Sequence, residues 1–193
     1  MTASAVRLPP AGLYLLMLLC AWLPAQAAEA PLDPDQCQFG FELRTRWGQK
    51  LQGLFPRYEG ESRKLPDGRN QVRLKMYTRD VDVVGNPRYS EWARGEQFFD
   101  AARHPAIEFI SKPFNGTLLG QGGALVGELT VRGITRPATL QVAPATCERH
   151  GYDCDIVVTG EISRSDFGMD GWKMALHDQV VLTLFARLKE PGN

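Results

Sequence analysis

The chain has 193 residues, 44% of them hydrophobic, and its 22 lysines and arginines balance 22 aspartates and glutamates. That length suits one ordinary domain and hardly two. Near neutrality argues against a nucleic-acid binder, which would carry a basic excess, and against strong overall attraction to anionic lipid; it says nothing of local patches.

The first segment reads as a processing signal. Arg7 gives a modest positive start, and the apolar run Leu13 to Leu23 is too short to span a bilayer and has no stop-transfer flank. Ala25 and Ala27 fit an A-x-A cleavage pattern. The pattern predicts a secretory signal peptide over residues 1–27 and an exported, periplasmic domain over residues 28–193. A lipoprotein signal using Cys20 is the alternative, but Leu19 stands where a small residue is expected. Removing the first 27 residues leaves 166, with 21 cations against 22 acids. A chain of that size buries about 70% of its unfolded surface, so its core needs neither disulfide nor metal.

Period-two alternation dominates the rest of the chain. Phe39, Phe41, Leu43, Thr45 and Trp47 alternate with polar or small residues, and a shorter candidate strand lies around Leu51 to Tyr58. After the turn "PDGRN", Val72, Leu74 and Met76 alternate with Arg73, Lys75 and Tyr77. "SEWARGEQFFD", Ser90 to Asp100, predicts the single helix, capped by Ser90 and interrupted by Gly95. Strands are expected around Ala106 to Ile110, Leu125 to Val131, Ala138 to Val142 (after a turn at "GITRP"), Ile156 to Ile162 and Val180 to Leu188. About eight strands with short turns predict an all-β fold: an antiparallel eight-stranded barrel with one short helix, because closure removes exposed edges.

Cys147 and Cys154 flank the polar insert "ERHGYD". A disulfide there closes a small loop, worth about 2–3 kcal/mol on the chain-entropy estimate, in an oxidising compartment. Cys37 is then odd: buried, free, or paired with another molecule.

The residues give little for catalysis. Asp166-Phe167-Gly168 copies a kinase triplet, but the glycine-rich loop, strand lysine and catalytic loop of that fold are missing. A strand-end corner explains it better, with Ser163, Ser165 and Asp166 bonding nearby backbone, Phe167 plugging the core and Gly168 taking positive φ. His104, His150 and His177 share no usual metal spacing, and no serine sits in G-x-S-x-G. No catalytic residue and no metal site are assigned. Asn115-Gly116-Thr117 fits a glycan sequon, though a hairpin turn accounts for Asn-Gly equally well.

What remains is the interior. An eight-stranded barrel is either filled or holds one small ligand, as lipocalins do. The strand alternation turns Phe39, Phe41, Leu43, Leu74, Met76, Phe109, Leu129, Leu140, Val158, Ile162, Leu182 and Leu184 inward, with Phe167 at the corner. Gly127, Ala138, Gly160 and Ala186 share that face, where small residues either leave room or fit the barrel's taper. Trp92, Phe98 and Phe99 are placed to line or close one end.

Three segments resemble a known family. "EQFFDAARHPAIEF" (Glu96 to Phe109), "GELTVRGITRPATLQV" (Gly127 to Val142) and "GEISRSDFGM" (Gly160 to Met169) are similar, in order and spacing, to signatures of the YceI-like family. The likeness covers roughly Asp33 to Leu188. It implies a lipocalin-like barrel, often periplasmic, binding a polyisoprenoid lipid such as a quinone or a polyprenyl compound inside, with no cofactor required. That ligand would come from or go to a membrane, and the architecture is compatible with a homodimer. The Cys147/Cys154 insert and "LFPRYEGESRKLPDGRNQ" depart from the common pattern. Two rival readings stay open: a filled, partner-binding barrel, and a lipid-modifying or redox enzyme in which Cys37 or His104 faces the cavity.

Overall fold

The computed structural model describes residues 29–190, so the expected leader over residues 1–27 lies outside the described residues. Eleven strands form one antiparallel sheet: β1 (Glu29–Pro31), β2 (Gln38–Thr45), β3 (Lys50–Leu54), β4 (Tyr58–Lys64), β5 (Asn70–Tyr77), β6 (Asp82–Val83), β7 (Ala106–Ser111), β8 (Gly123–Val131), β9 (Ile134–Val142), β10 (Ile156–Ser163) and β11 (Leu176–Ala186). Their order is β1-β4-β5-β7-β8-β9-β10-β11-β2-β3-β6.

The sheet curls because one stretch of chain serves both flanks. β3 pairs with β2, whereas β4 pairs with β5. Between them Pro56 has no N–H to continue a ladder, and the chain bends there. Phe55 still donates to the Phe39 carbonyl at 2.8 Å, and Tyr77 donates to Arg57 at 2.9 Å. β1 stitches the seam at one end: Leu32 bridges Leu188, and Lys189 donates to the Pro31 carbonyl at 2.9 Å. The result is a curled half-barrel.

Eleven strands replace the eight expected, for local reasons. β1 and β6 are three and two residues long, too short to alternate. β4, "YEGESRK", reads as polar because Gly60 and Ser62 occupy positions where an apolar residue would have signalled a strand.

Turns and helices also differ from expectation. The hairpin turn is Arg132-Gly133, both at positive φ (52° and 72°), as a two-residue type I′ turn requires. β9 therefore runs through Pro137. The strand tolerates it because β9 meets β10 only at Gln141 and Val142, leaving Pro137 on an edge. The helix α1 spans Pro87–Arg94, earlier than expected, with Pro87 at its first position and Asn86 as cap accepting from the Tyr89 N–H at 3.2 Å. Ser90 is not the cap; it is buried, accepting from Val83 N–H at 2.8 Å and bonding Asp82 at 2.9 Å. Asn115-Gly116 makes no hairpin but leads into a short helix, α2 (Thr117–Gln121), with Asn115 accepting from the Thr117 N–H at 3.0 Å.

Candidate functional site

Among the described residues, two apolar chambers stand out in the interior. The larger, about 190 Å³, opens towards the β2–β3 turn and the loop preceding β11. The smaller, about 90 Å³, lies towards α2, whose Leu118 and Leu119 cover it, and towards the loop closed by the Cys147–Cys154 disulfide. Leu74, Phe109, Leu140 and Leu184 border both chambers and form a septum between them.

Of the residues expected to face a ligand, β2 brings Phe41 and Leu43 to the larger chamber and β5 brings Leu74 and Met76. Phe109, Leu129, Leu140, Ile162, Leu182 and Leu184 reach it from β7 to β11, and Trp92, Phe98 and Phe99 from α1 and the following loop. Phe39 and Val158 border only the smaller chamber. Phe167 borders neither; it is buried in the core beneath the corner. The inward glycines do not simply leave room. A Cβ on Gly127 would meet the Phe109 ring, and one on Gly160 would meet Leu140, so these glycines seat two septum side chains.

The mouth of the larger chamber is aromatic. Trp92 stacks on Tyr89 with centroids 5.1 Å apart and meets Trp172 at 4.5 Å, while Phe98 lies 6.4 Å from Trp172. Trp172 sits at φ 59°, a left-handed conformation that costs a bulky residue energy and needs outside support. Its indole N–H donates to Gln97 at 3.0 Å, and Gly171 packs against Gln97 where a Cβ would not fit. From the other side, Arg132 of the hairpin turn donates to the carbonyls of Glu96 and Phe98, fixing the loop that carries Phe98 and Phe99 inward.

The corner Arg164–Phe167 is a single 3-10 turn that packs beside β9, which pairs with β10 only at Gln141 and Val142. Its organising residue is Arg164, 2% exposed, which donates to the carbonyls of Met169 (2.7 Å), Gly171 (2.6 Å) and His177 (3.0 Å). Burial pulls its pKa down from the usual arginine value, with Asp178 and Asp170 opposing that. Gly168 takes the expected left-handed φ of 68°. Asp166 does not play the expected part. It is exposed, and its backbone carbonyl accepts from Arg136 at 3.3 Å. Asp178 holds the corner instead, accepting from Ser165 N–H at 3.0 Å and Ser165 hydroxyl at 2.6 Å, and that hydroxyl bond lowers its pKa. Arg164 lies inside the segment that resembles the family signature, but no local pattern gives its role or that of Asp178, because their partners lie 5 to 13 residues away.

The YceI-like domain model matches residues 31–188. The chain belongs to the YceI-like family. A relative described as a UPF0312 protein from Yersinia pestis is 27% identical over 169 residues, covering 82% of this chain and 84% of the relative. Among solved structures, BcnA of Burkholderia cenocepacia superposes with a TM-score of 0.66 at 19% identity, covering 80% of this chain and 98% of that one. A polyisoprenoid binding domain from Saccharophagus degradans, implicated in plant cell wall breakdown, gives 0.59 at 12% identity, covering 84% and 99%. At such identities these two establish the shared fold.

Within this YceI-like chain, the groups an enzymatic reading needs lie outside both chambers. Cys37 bonds the backbone of Arg187, accepting its N–H at 3.1 Å, and burial pushes its thiol pKa up, away from the reactive thiolate. Tyr58 beside it is pushed up to about 12, chiefly by burial and then by Cys37, and donates to the Pro34 carbonyl at 2.8 Å. His104 packs near Gly133 and Asp100, away from both chambers. Among the described residues there is no group of three or more His, Cys, Asp or Glu placed to hold a metal ion.

Proposed function

We propose that this YceI-like protein is a non-catalytic carrier that works in the periplasm and shelters the tail of an isoprenoid lipid, a quinone or a polyprenyl compound. The observation that carries this reading is the apolar interior divided into two chambers behind an aromatic mouth. Each CH₂ moved from water into such walls contributes about 0.8 kcal/mol, so affinity needs few polar contacts. Specificity then comes from length and shape.

Chamber size narrows the ligand. A cavity of about 150 Å³ takes a guest the size of benzene. By that measure the larger chamber accepts about one or two isoprene units, and a longer tail must either pass the septum or trail out between Trp47 and Trp172. The polar head stays at the mouth, where Gln49 is a polar side chain beside Thr45; Arg164 also borders the chamber, but its guanidinium is taken up by three carbonyls.

Lipid extraction from the purified protein, with native mass spectrometry after adding ubiquinone or farnesol, tests this. The expected result is a co-purifying prenyl lipid or stoichiometric uptake of an added one. Protein that repeatedly carries no lipid and takes up neither compound would overturn the reading.

A further inference from the structure

The mouth carries a second feature on its outer side. Trp47 and Met174 are 79% and 91% exposed, and Trp172 is 44% exposed. Trp47 tips the β2–β3 turn, and Met174 tips the loop before β11. The two loops are joined: Arg46 N–H donates to the Ala175 carbonyl at 2.8 Å, and Ala175 N–H donates to Trp172 at 2.9 Å. Three large apolar side chains thus stand together at one end, although exposed apolar residues on soluble surfaces are ordinarily scattered singly.

We infer that these loop tips dock the protein on an anionic bilayer surface, with the chamber mouth facing the lipid. Two observations support that occupant. Residues 42–50 and 168–176 together carry four cations (Arg44, Arg46, Lys50 and Lys173) against two acids, Glu42 and Asp170, an excess of two although the chain as a whole is neutral; Glu42 pairs with Arg44 and Lys50, and Asp170 with Lys173. Tryptophan flanked by arginine and lysine is the composition that settles at the headgroup level of a membrane. Furthermore, Trp47 and Trp172 belong to both surfaces, exposed on the outside and bordering the larger chamber on the inside. A prenyl tail leaving the bilayer there passes from one apolar surface to the next without crossing water. The Arg46 and Lys173 side chains would meet lipid phosphates, while Trp47 and Met174 enter the interface.

This inference rests on the carrier reading, and the experiment separates the two. Residues 29–193, which contain every strand and both core clusters, are sedimented at low salt with vesicles of one part phosphatidylglycerol to three parts phosphatidylethanolamine, and with phosphatidylcholine alone. The expected result is binding to the anionic vesicles at least fivefold stronger than to phosphatidylcholine. Trp47→Ser with Met174→Ser should abolish it, Arg46→Gln with Lys173→Gln should weaken it severalfold, and circular dichroism should be unchanged. Equal binding by wild type and the Trp47/Met174 variant, or no binding, overturns the inference. So does a dimer in sedimentation velocity that the same variant turns into monomer, since the patch would then cover a second copy. Uptake of farnesol from dilute ethanol is measured in parallel. Farnesol uptake without vesicle binding sinks only the docking surface; vesicle binding by protein that carries no lipid and takes up neither farnesol nor ubiquinone supports the docking surface and sinks the carrier reading.

Discussion

The two ends of the half-barrel are built to opposite rules. At the end near α2, the smaller chamber is walled mainly by aliphatic side chains, with Phe39, Phe109 and Phe114 among them, and that end is tied down by covalent and backbone bonds. Cys147 and Cys154 close a loop there, Leu188 N–H donates to Gly151 at 2.7 Å, and β1 seals the seam. At the other end, the loops around the larger chamber share the Arg46–Ala175 backbone bond, but much of their placement falls to single side chains: Arg132, Arg164, Gln97 and a tryptophan in a left-handed conformation. One end is held by connectivity, and the other by a few replaceable hydrogen bonds. A barrel that must admit a ligand needs this difference, because opening motions come from regions of low local stability.

Breaking the septum should have the largest effect. Phe109→Ala removes a buried ring between the chambers, and such a truncation costs about 3–5 kcal/mol of stability. The same change merges the chambers, so the variant should retain longer prenyl chains than the wild type. Urea unfolding and a chain-length series by native mass spectrometry measure the two effects; an unchanged length preference would show that the tail never reaches the septum. Arg164→Met comes next, at about 3 kcal/mol, because three carbonyls lose a charged donor at once. Limited proteolysis should then cut within residues 168–175 while the disulfide end stays resistant. Cutting that begins near α2 instead would reverse the comparison.

These two residues also mark where sequence reading succeeds and where it stops. Phe109 is legible because Glu108 separates it from Ile107 in a short apolar run, although exposed Ile110 and buried Ser111 break the alternation at the end of β7. The same signal locates β2, β5 and β8 to β11. It misses β4, whose Gly60 and Ser62 give no apolar period, and it starts β9 too late by reading Pro137 as part of a turn. Arg164 is illegible for a different reason. Its role depends on carbonyls supplied by a loop that returns only after the corner, and no local pattern encodes that return. The glycines show a third limit. Gly127 and Gly160 announce space, but only the packed structure shows that Phe109 and Leu140 occupy it.

The disulfide tests the other end. Replacing Cys147 and Cys154 by serine frees a short loop and should cost about 2–3 kcal/mol. Because no residue of that loop borders either chamber, farnesol uptake through the mouth should hardly change. A thermal melt with parallel uptake measurements reads both; a loss of uptake would mean the two ends are not independent.

The smallest effect concerns Asp178, and its sign follows from the direction of its pKa. The Ser165 hydroxyl bond, helped by the Ser165 N–H, lowers the folded-state pKa below the ordinary carboxylate value. The unfolded chain therefore binds the proton more tightly than the folded one. Stability from Asp178 is present above an unfolded pKa of about 3.9 and is lost as pH falls through the lower folded value. Asp178→Ala should cost about 1 kcal/mol at neutral pH, consistent with a single hydrogen-bonded carboxylate at the surface. The gap between wild type and variant should persist to about pH 5 and shrink below about pH 4. Asp166→Ala, although it alters the triplet that looks like the signature, should leave stability within about 0.5 kcal/mol of wild type, because its carboxylate is exposed. Urea midpoints for both variants across the acid-to-neutral range decide the matter. If Asp166 proves the costlier loss, the corner is held from its own turn and not from β11, and the mouth is less dependent on distant side chains than its geometry indicates.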